Sequence, residues 1–413
     1  MKKLIVLLLL GINLVFTSCS TSSSAPIIPT PTPPSTEANV SGMLTASTTW
    51  TNDKIWILNG KVVVGDGVTL TIEPGTIIKG KEGSGSLASA LVVARGGKLN
   101  AVGTAGKPII FTSVADNIKL GEKAGTNLTI ADNSLWGGVI ILGKAKGSFS
   151  GDVSEFQIEG IPASDSFGLY GGTDDTDNSG HLEYVVIRHG GAEIGAGNEI
   201  NGLTLGAVGS GTIIKNIEIE ATLDDGIEFF GGTVEISNVL VWGQGDDGLD
   251  IDQGFGGKIS NSIVIDGDTS DSAFEIDGGE GSFQRSFTIS NITLRGNQNA
   301  PGGKYADFRD AAQGSLSNIY AYDFQTTSIV RLKKDADAQN YVNGLITFSN
   351  WQIVLPTGVQ IKDIFQDHSP SGLAPNFWSD ASSWTTSVTK GSQTVGADLS
   401  VFDWTWAKSK NAF

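Results

Sequence analysis

Asn216-Ile-Glu-Ile-Glu-Ala-Thr-Leu-Asp224-Asp225-Gly226-Ile-Glu228-Phe229 is followed by Asn238-Val-Leu-Val-Trp-Gly-Gln-Gly-Asp246-Asp247-Gly248-Leu-Asp250-Ile251. Asn261-Ser-Ile-Val-Ile265 and Asp271-Ser-Ala-Phe-Glu275-Ile-Asp277 come next. Asp224 stands 22 residues before Asp246, and Asp246 stands 25 before Asp271. Each unit holds a short alternating strand, a polar glycine-rich turn and a second short strand. A recurrence of this length with no helical periodicity inside it predicts a β-solenoid. Strand alternation then turns Ile227, Leu249 and Phe274 inward and Glu228, Asp250 and Glu275 outward. Stacked coils would place those carboxylates about 4.8 Å apart.

The same rhythm extends in both directions. Thr204 stands 24 residues before Glu228, and Asn216, Asn238, Asn261, Asn291 and Asn318 each open a strand at intervals of 22, 23, 30 and 27. An amide repeated at one turn position can donate and accept from coil to coil, a structural role. Towards the N-terminus, Trp56–Gly60, Val68–Ile72, Leu91–Ala94, Pro108–Thr112 and Trp136–Leu142 read as short strands broken by glycine turns. Residues 115–134 and 164–181 read as loops. Glycine, at 55 of 413 residues, and a charged fraction of 17% fit many short strands and tight turns. The expected fold is one all-β right-handed parallel β-helix over residues 44–340. Residues 341–413 lose the repeat and carry Trp351, Trp378, Trp384, Trp404 and Trp406. They are expected to cap the open end of the solenoid, which would otherwise expose core and strand edges.

The N-terminus carries an address. Met1-Lys-Lys, the apolar run Leu4–Leu10 and the small-residue patch ending at Cys19 read as a signal peptide over residues 1–18, too short to span a bilayer. Thr17-Ser18-Cys19 matches a bacterial lipobox, so Cys19, the single cysteine, is expected to carry lipid. Residues 19–43, rich in Ser, Thr and Pro, would then tether the domain to an outer membrane. A net charge of −17 excludes nucleic acid as a partner.

The ladder holds ten carboxylates, Asp224, Asp225, Glu228, Asp246, Asp247, Asp250, Asp252, Asp271, Glu275 and Asp277, and the one lysine or arginine between Asn216 and Asp277 is Lys258. Asp-Asp-Gly suits a turn, but Glu228, Asp250 and Glu275 lie within strands, where turn chemistry gives no reason for them. Full charges about 4.8 Å apart repel by roughly 3.5 kcal/mol at an effective dielectric of 20, so the ladder must share protons, bind cations or stay solvated. Calcium is the cofactor this pattern admits. Asp175-Thr-Asp177-Asn-Ser179-Gly180 also places alternate oxygens before a glycine, as the first half of an EF-hand loop does. Asp175, Asp177 and Ser179, with Glu183 at the ninth place, form the candidate metal loop. The acidic face itself, with Trp242 beside Glu228, Asp250 and Glu275, is a candidate surface for a polysaccharide or another surface polymer.

Val68-Thr-Leu-Thr-Ile-Glu-Pro-Gly-Thr76, Trp136-Gly-Gly-Val-Ile-Ile-Leu-Gly143, Ile187-Arg-His-Gly-Gly191 and the two Asp-Asp-Gly strands resemble the parallel β-helix lipoproteins of Bacteroidota. That resemblance implies fold and export route. A second, partial one is to polygalacturonases: Asp224-Asp225 and Asp246-Asp247 are similar to their acidic motifs, and Arg331-Leu-Lys333 to their Arg-Ile-Lys motif. It implies an inverting hydrolase in which Asp225, Asp246 and Asp247 supply acid and base while Arg331 and Lys333 hold a substrate carboxylate. Asp271-Ser272 stands where such an enzyme has histidine, and His189 falls before the ladder. Polymer recognition is therefore the first expectation, and hydrolysis the alternative.

Overall fold

Each long strand of this chain turns a corner at one left-handed residue. The φ angle is 51° at Tyr184, 54° at Asn216, 56° at Asn238, 47° at Asn261, 59° at Asn291 and 56° at Asn318. Asparagine tolerates this region better than other side chains do. The strands Gly180–Arg188, Ile213–Glu220, Glu235–Trp242, Lys258–Ile265, Phe287–Arg295 and Gly314–Tyr322 pair in parallel and in register across that corner. At the corner itself the amide of Asn238 donates to Asn216, and that of Asn261 to Asn238. Asn318 donates to Asn291 and Asn350 to Asn318 in a second run.

The structure, a computed structural model, describes residues 36–195, 198–300 and 302–413. The expected signal peptide, Cys19 and all but the last part of the tether lie outside the described residues. Short strands form the remaining side of each coil: Val139–Leu142, Leu203–Gly206, Ile227–Phe230, Leu249–Asp252, Phe274–Asp277, Ala306–Arg309, Val330–Leu332 and Phe365–Asp367. They too are parallel and in register. The result is a single right-handed parallel β-helix. Its pairing begins at Glu37 and runs to Ser387, so it extends past 44–340 at both ends.

Ile227, Phe229, Leu249, Ile251, Phe274 and Ile276 enter one core with Ile217, Ile219, Val239, Val241 and Val264. The Asp-Asp-Gly turns are fixed by that packing. A Cβ on Gly226 would lie 2.3 Å from Val241 Cγ1 and 2.6 Å from the Gly248 carbonyl, and one on Gly248 2.4 Å from Val264 Cγ1. Only glycine lets adjacent coils approach so closely.

The C-terminal segment does two jobs. Tyr341, Phe348, Trp351, Phe365, Phe377 and Trp384 form an aromatic cluster over the last coil. The chain then returns along the long strands as a strap. Ala397 N–H donates to Thr293, Asp398 N–H to Asn261, and Trp406 and Ala407 N–H to the buried carboxylate of Glu218. Phe402 and Ala407 pack on Leu240, Ile263 and Ile265. No helix among the described residues is long and apolar enough to cross a membrane.

Candidate functional site

The outward row of the short strands carries the acids. Thr204, Glu228, Asp250, Glu275, Asp307, Arg331 and Gln366 stand directly opposite one another on successive strands. Glu228, Asp250 and Glu275 point away from the core, as alternation requires, yet only 7%, 8% and 9% of their surface is exposed. Of the three ways the ladder could bear its charge, full solvation is removed by this burial. Phe230, two residues beyond Glu228, packs under Phe149, Ile158 and Tyr170. Tyr170 donates to Gln253, whose amide donates to Glu280. Glu228 itself accepts from Asn201 Nδ2 at 2.6 Å.

The turn acids form a second row. Asp225 Oδ1 accepts from the Asp247 backbone N–H at 2.9 Å, and Asp247 Oδ1 from the Ser272 N–H at 2.7 Å. These two carboxylates bind one coil to the next. Asp246, beside them, is exposed.

Charge is balanced unevenly along the face. Lys304 pairs with Asp271, Arg309 with both Glu275 and Asp277, and Arg331 with Asp307. Among the described residues no lysine or arginine forms an ion pair with Asp225, Glu228, Asp246, Asp247, Asp250 or Asp252. Asp225, Glu228 and Asp250 offer three ligand oxygens within 4.8 Å of one another, and Asp250 Oδ1 has no hydrogen-bond partner. Burial first, and neighbouring carboxylates second, push Asp225, Glu228, Asp247 and Asp250 well above the ordinary carboxylate range. Asp252 is pushed up to about 8 and Glu275 to about 7, burial again leading. Asp246 is raised by partial burial and by Asp271.

Several expected residues sit elsewhere. The Asp175 carboxylate is held by Arg285, at 2.8 Å to Nη2, and accepts from Lys146 N–H. Asp177 accepts from Ser179 Oγ, while Glu183 pairs with His181 and Lys215. Asp175 is thus paired with an arginine, and among the described residues the close acidic trios lie on the ladder and do not include Asp175, Asp177 or Glu183. Trp242 stacks 5.4 Å from Trp406 under the strap, which removes it from the acidic face. Arg331 is committed to Asp307, and Lys333, half-buried just past that strand, makes a backbone bond to Phe308. His189 is buried with Nδ1 on the Asp132 carbonyl. Asp307 and Arg309 were the residues that spacing obscured. Ala306-Asp-Phe-Arg309 repeats the alternation of Phe274-Glu-Ile-Asp277, but an interval near 32 residues hides it.

Residues 42–409 match the model of the family described as a pectate-lyase-like β-helix domain. Among solved structures, the pectin methylesterase from Aspergillus niger in penultimately deglycosylated form is 10% identical, with a TM-score of 0.35 over 84% of this chain and 90% of that one. Its deglycosylated form is 11% identical, with a TM-score of 0.34 over 78% and 88%. Likeness that loose carries no argument about activity. No curated protein matches.

Proposed function

This chain belongs to the family of pectate-lyase-like β-helix domains, and on that footing we propose that its acidic face recognises a polysaccharide with the help of a bound hard cation. The observation that carries the reading is the trio Asp225, Glu228 and Asp250. Three buried carboxylates each offer an oxygen within 4.8 Å of the others, and among the described residues no base forms an ion pair with them and Asp250 Oδ1 has no donor. An all-carboxylate donor set suits calcium over softer metals. When bound, such an ion supplies the positive charge that the protein provides further along the face with Arg309 and Arg331. Those two arginines and exposed Asp246 form the rim on which the polymer lies. The lipobox at Cys19 and the resemblance to Bacteroidota lipoproteins support an outer-membrane anchor for this module.

Hydrolysis is the second reading, and Asp246 favours it. Its carboxyl is solvent-accessible, and partial burial first and Asp271 second hold its proton up, which suits it to protonate a glycan oxygen. Against the paired-aspartate scheme, Asp225 and Asp247 are spent on backbone N–H groups. The turn acids also approach within 4.8 Å, closer than the ~6.5–9.5 Å an inverting pair leaves for water.

The deciding experiment mixes the mature protein with a panel of acidic and neutral polysaccharides, with excess calcium or chelator. Retention is scored beside the release of reducing ends. Calcium-dependent retention without new ends is the expected result. New ends would move the conclusion to the hydrolase, and no retention under either condition would remove the polysaccharide reading.

A further inference from the structure

Four of the five tryptophans after residue 340 have a structural partner. Trp351 and Trp384 lie in the aromatic cap, while Trp404 packs on Tyr184 and Trp406 on Trp242. Trp378 does not share this pattern. The short helix Phe377–Asp380 buries Phe377 in the cap and turns the next side chain outward, leaving the Trp378 indole 50% exposed. It lines a cleft of about 480 Å³ with Pro375, Gln366, His368 and Lys362. His368 Nε2 lies 2.8 Å from Gln366 Oε1 and Gln366 Nε2 donates to the Asp363 carbonyl, so an amide and an imidazole share a polar lining that also includes Asp363 and Asp367.

The cleft is not a separate feature of the surface. Gln366 stands opposite Arg331, which stands opposite Asp307, then Glu275, then Asp250. From Asp250 to Gln366 is four strand steps, or about 19 Å along the solenoid axis. We propose that this cleft is a distal subsite for one pyranose ring of a linear glycan lying along that row, with the indole of Trp378 as its stacking platform. The inference rests on the reading of the face as a polysaccharide site. Its chemistry is complementary to a sugar. The ring's C–H face covers the apolar indole, its hydroxyls meet the Gln366 amide and His368, and Lys362 meets a carboxylate if the residue is a uronate. A ring bound here belongs to the same chain as one bound at Asp246 and Asp250 only if that chain is several residues long. The structure therefore assigns a length requirement, not merely one more contact.

The test uses calorimetric titration of the mature protein in calcium with oligogalacturonides of graded length, and with xylo-oligosaccharides as a neutral arm. Wild type is compared with Trp378→Ala and Trp378→Phe, whose melting curves are expected to match wild type because the indole is outside the core. Longer oligomers should bind wild type about three- to tenfold more tightly than dimers and trimers, the scale of one aromatic contact. Trp378→Ala should erase that gain and leave the short oligomers unchanged, and Trp378→Phe should restore most of it. A Trp378→Ala protein that keeps the length dependence, or that loses short and long oligomers alike, overturns the subsite while the face reading stands. Wild type that binds no oligomer in either arm overturns both.

Discussion

Replacing Asp250 by asparagine should stabilise this protein at neutral to alkaline pH and at the same time remove its response to calcium. Asp250 lies between Glu228 and Glu275 on hydrogen-bonded neighbouring strands. At the inter-strand step of about 4.8 Å, each fully charged pair costs roughly 3.5 kcal/mol at an effective dielectric of 20. The column avoids that cost by holding protons. Asp252 and Glu275, with folded values of about 8 and about 7 against ordinary values of 3.8 and 4.5, keep protons that the unfolded chain releases. The folded state thus binds more protons than the unfolded state between about pH 4 and 8, so stability falls as pH rises through that window and the deficit is complete above it. Because protons already relieve most of the repulsion, Asp250→Asn should raise stability by about 1–3 kcal/mol near pH 8.5 and by almost nothing near pH 5. Urea or thermal melts of wild type and variant, at both pH values, in excess calcium and in chelator, read this directly. Calcium at a hundredfold excess over its dissociation constant should add about 2.7 kcal/mol to wild type and far less to the variant. Chelated wild type with the same stability at both pH values would refute the buried-charge argument. A variant still stabilised by calcium would refute the assignment of the cation to Asp250.

Asn238→Ala should cost about 2–4 kcal/mol in urea unfolding, since it removes two amide bonds and places alanine at φ 56°; Asn238→Gly, free of the second cost, should lose about half as much. Glu218→Ala deprives the Trp406 and Ala407 N–H groups of their acceptor, so limited proteolysis should cut within residues 388–413 sooner than in wild type while the coils stay resistant. If the polysaccharide panel releases reducing ends, Asp246→Asn should abolish that release with an unchanged melt. Asp247→Ala should instead lower the melt, because it removes the acceptor of the buried Ser272 N–H.

The coil was legible because a solenoid imposes one rule on every strand. Ile227, Leu249 and Phe274 must enter a shared core, so alternation alone fixes which side Glu228, Asp250 and Glu275 take. The asparagine corners were legible for the same reason, one position repeated at nearly constant spacing. What covers the outer side follows no repeat. Phe149, Ile158 and Tyr170 come from a stretch with no periodicity, yet they pack over Phe230, two residues beyond Glu228. The same limit explains Asp175, whose partner Arg285 lies 110 residues away. It also explains Trp242, hidden by a strap that returns from the far end of the chain.

Those hidden partners change the chemistry more than the fold. One register position is occupied by an acid on four consecutive strands, and the protein handles the charge in two ways. At Glu275 and Asp307 it supplies arginine, from Arg309 and Arg331, so the C-terminal half of the face is largely offset within the chain, with Arg309 shared between Glu275 and Asp277. Among the described residues no lysine or arginine forms an ion pair with Glu228 or Asp250. Burial makes that omission costly, since a carboxylate removed from water needs a partner or a proton. A buried acidic stretch beside one paired with arginine is the observation that supports our proposal of a cation bound from outside the chain. For that reason the site is assigned to Asp225, Glu228 and Asp250, and not to the larger number of acids around them.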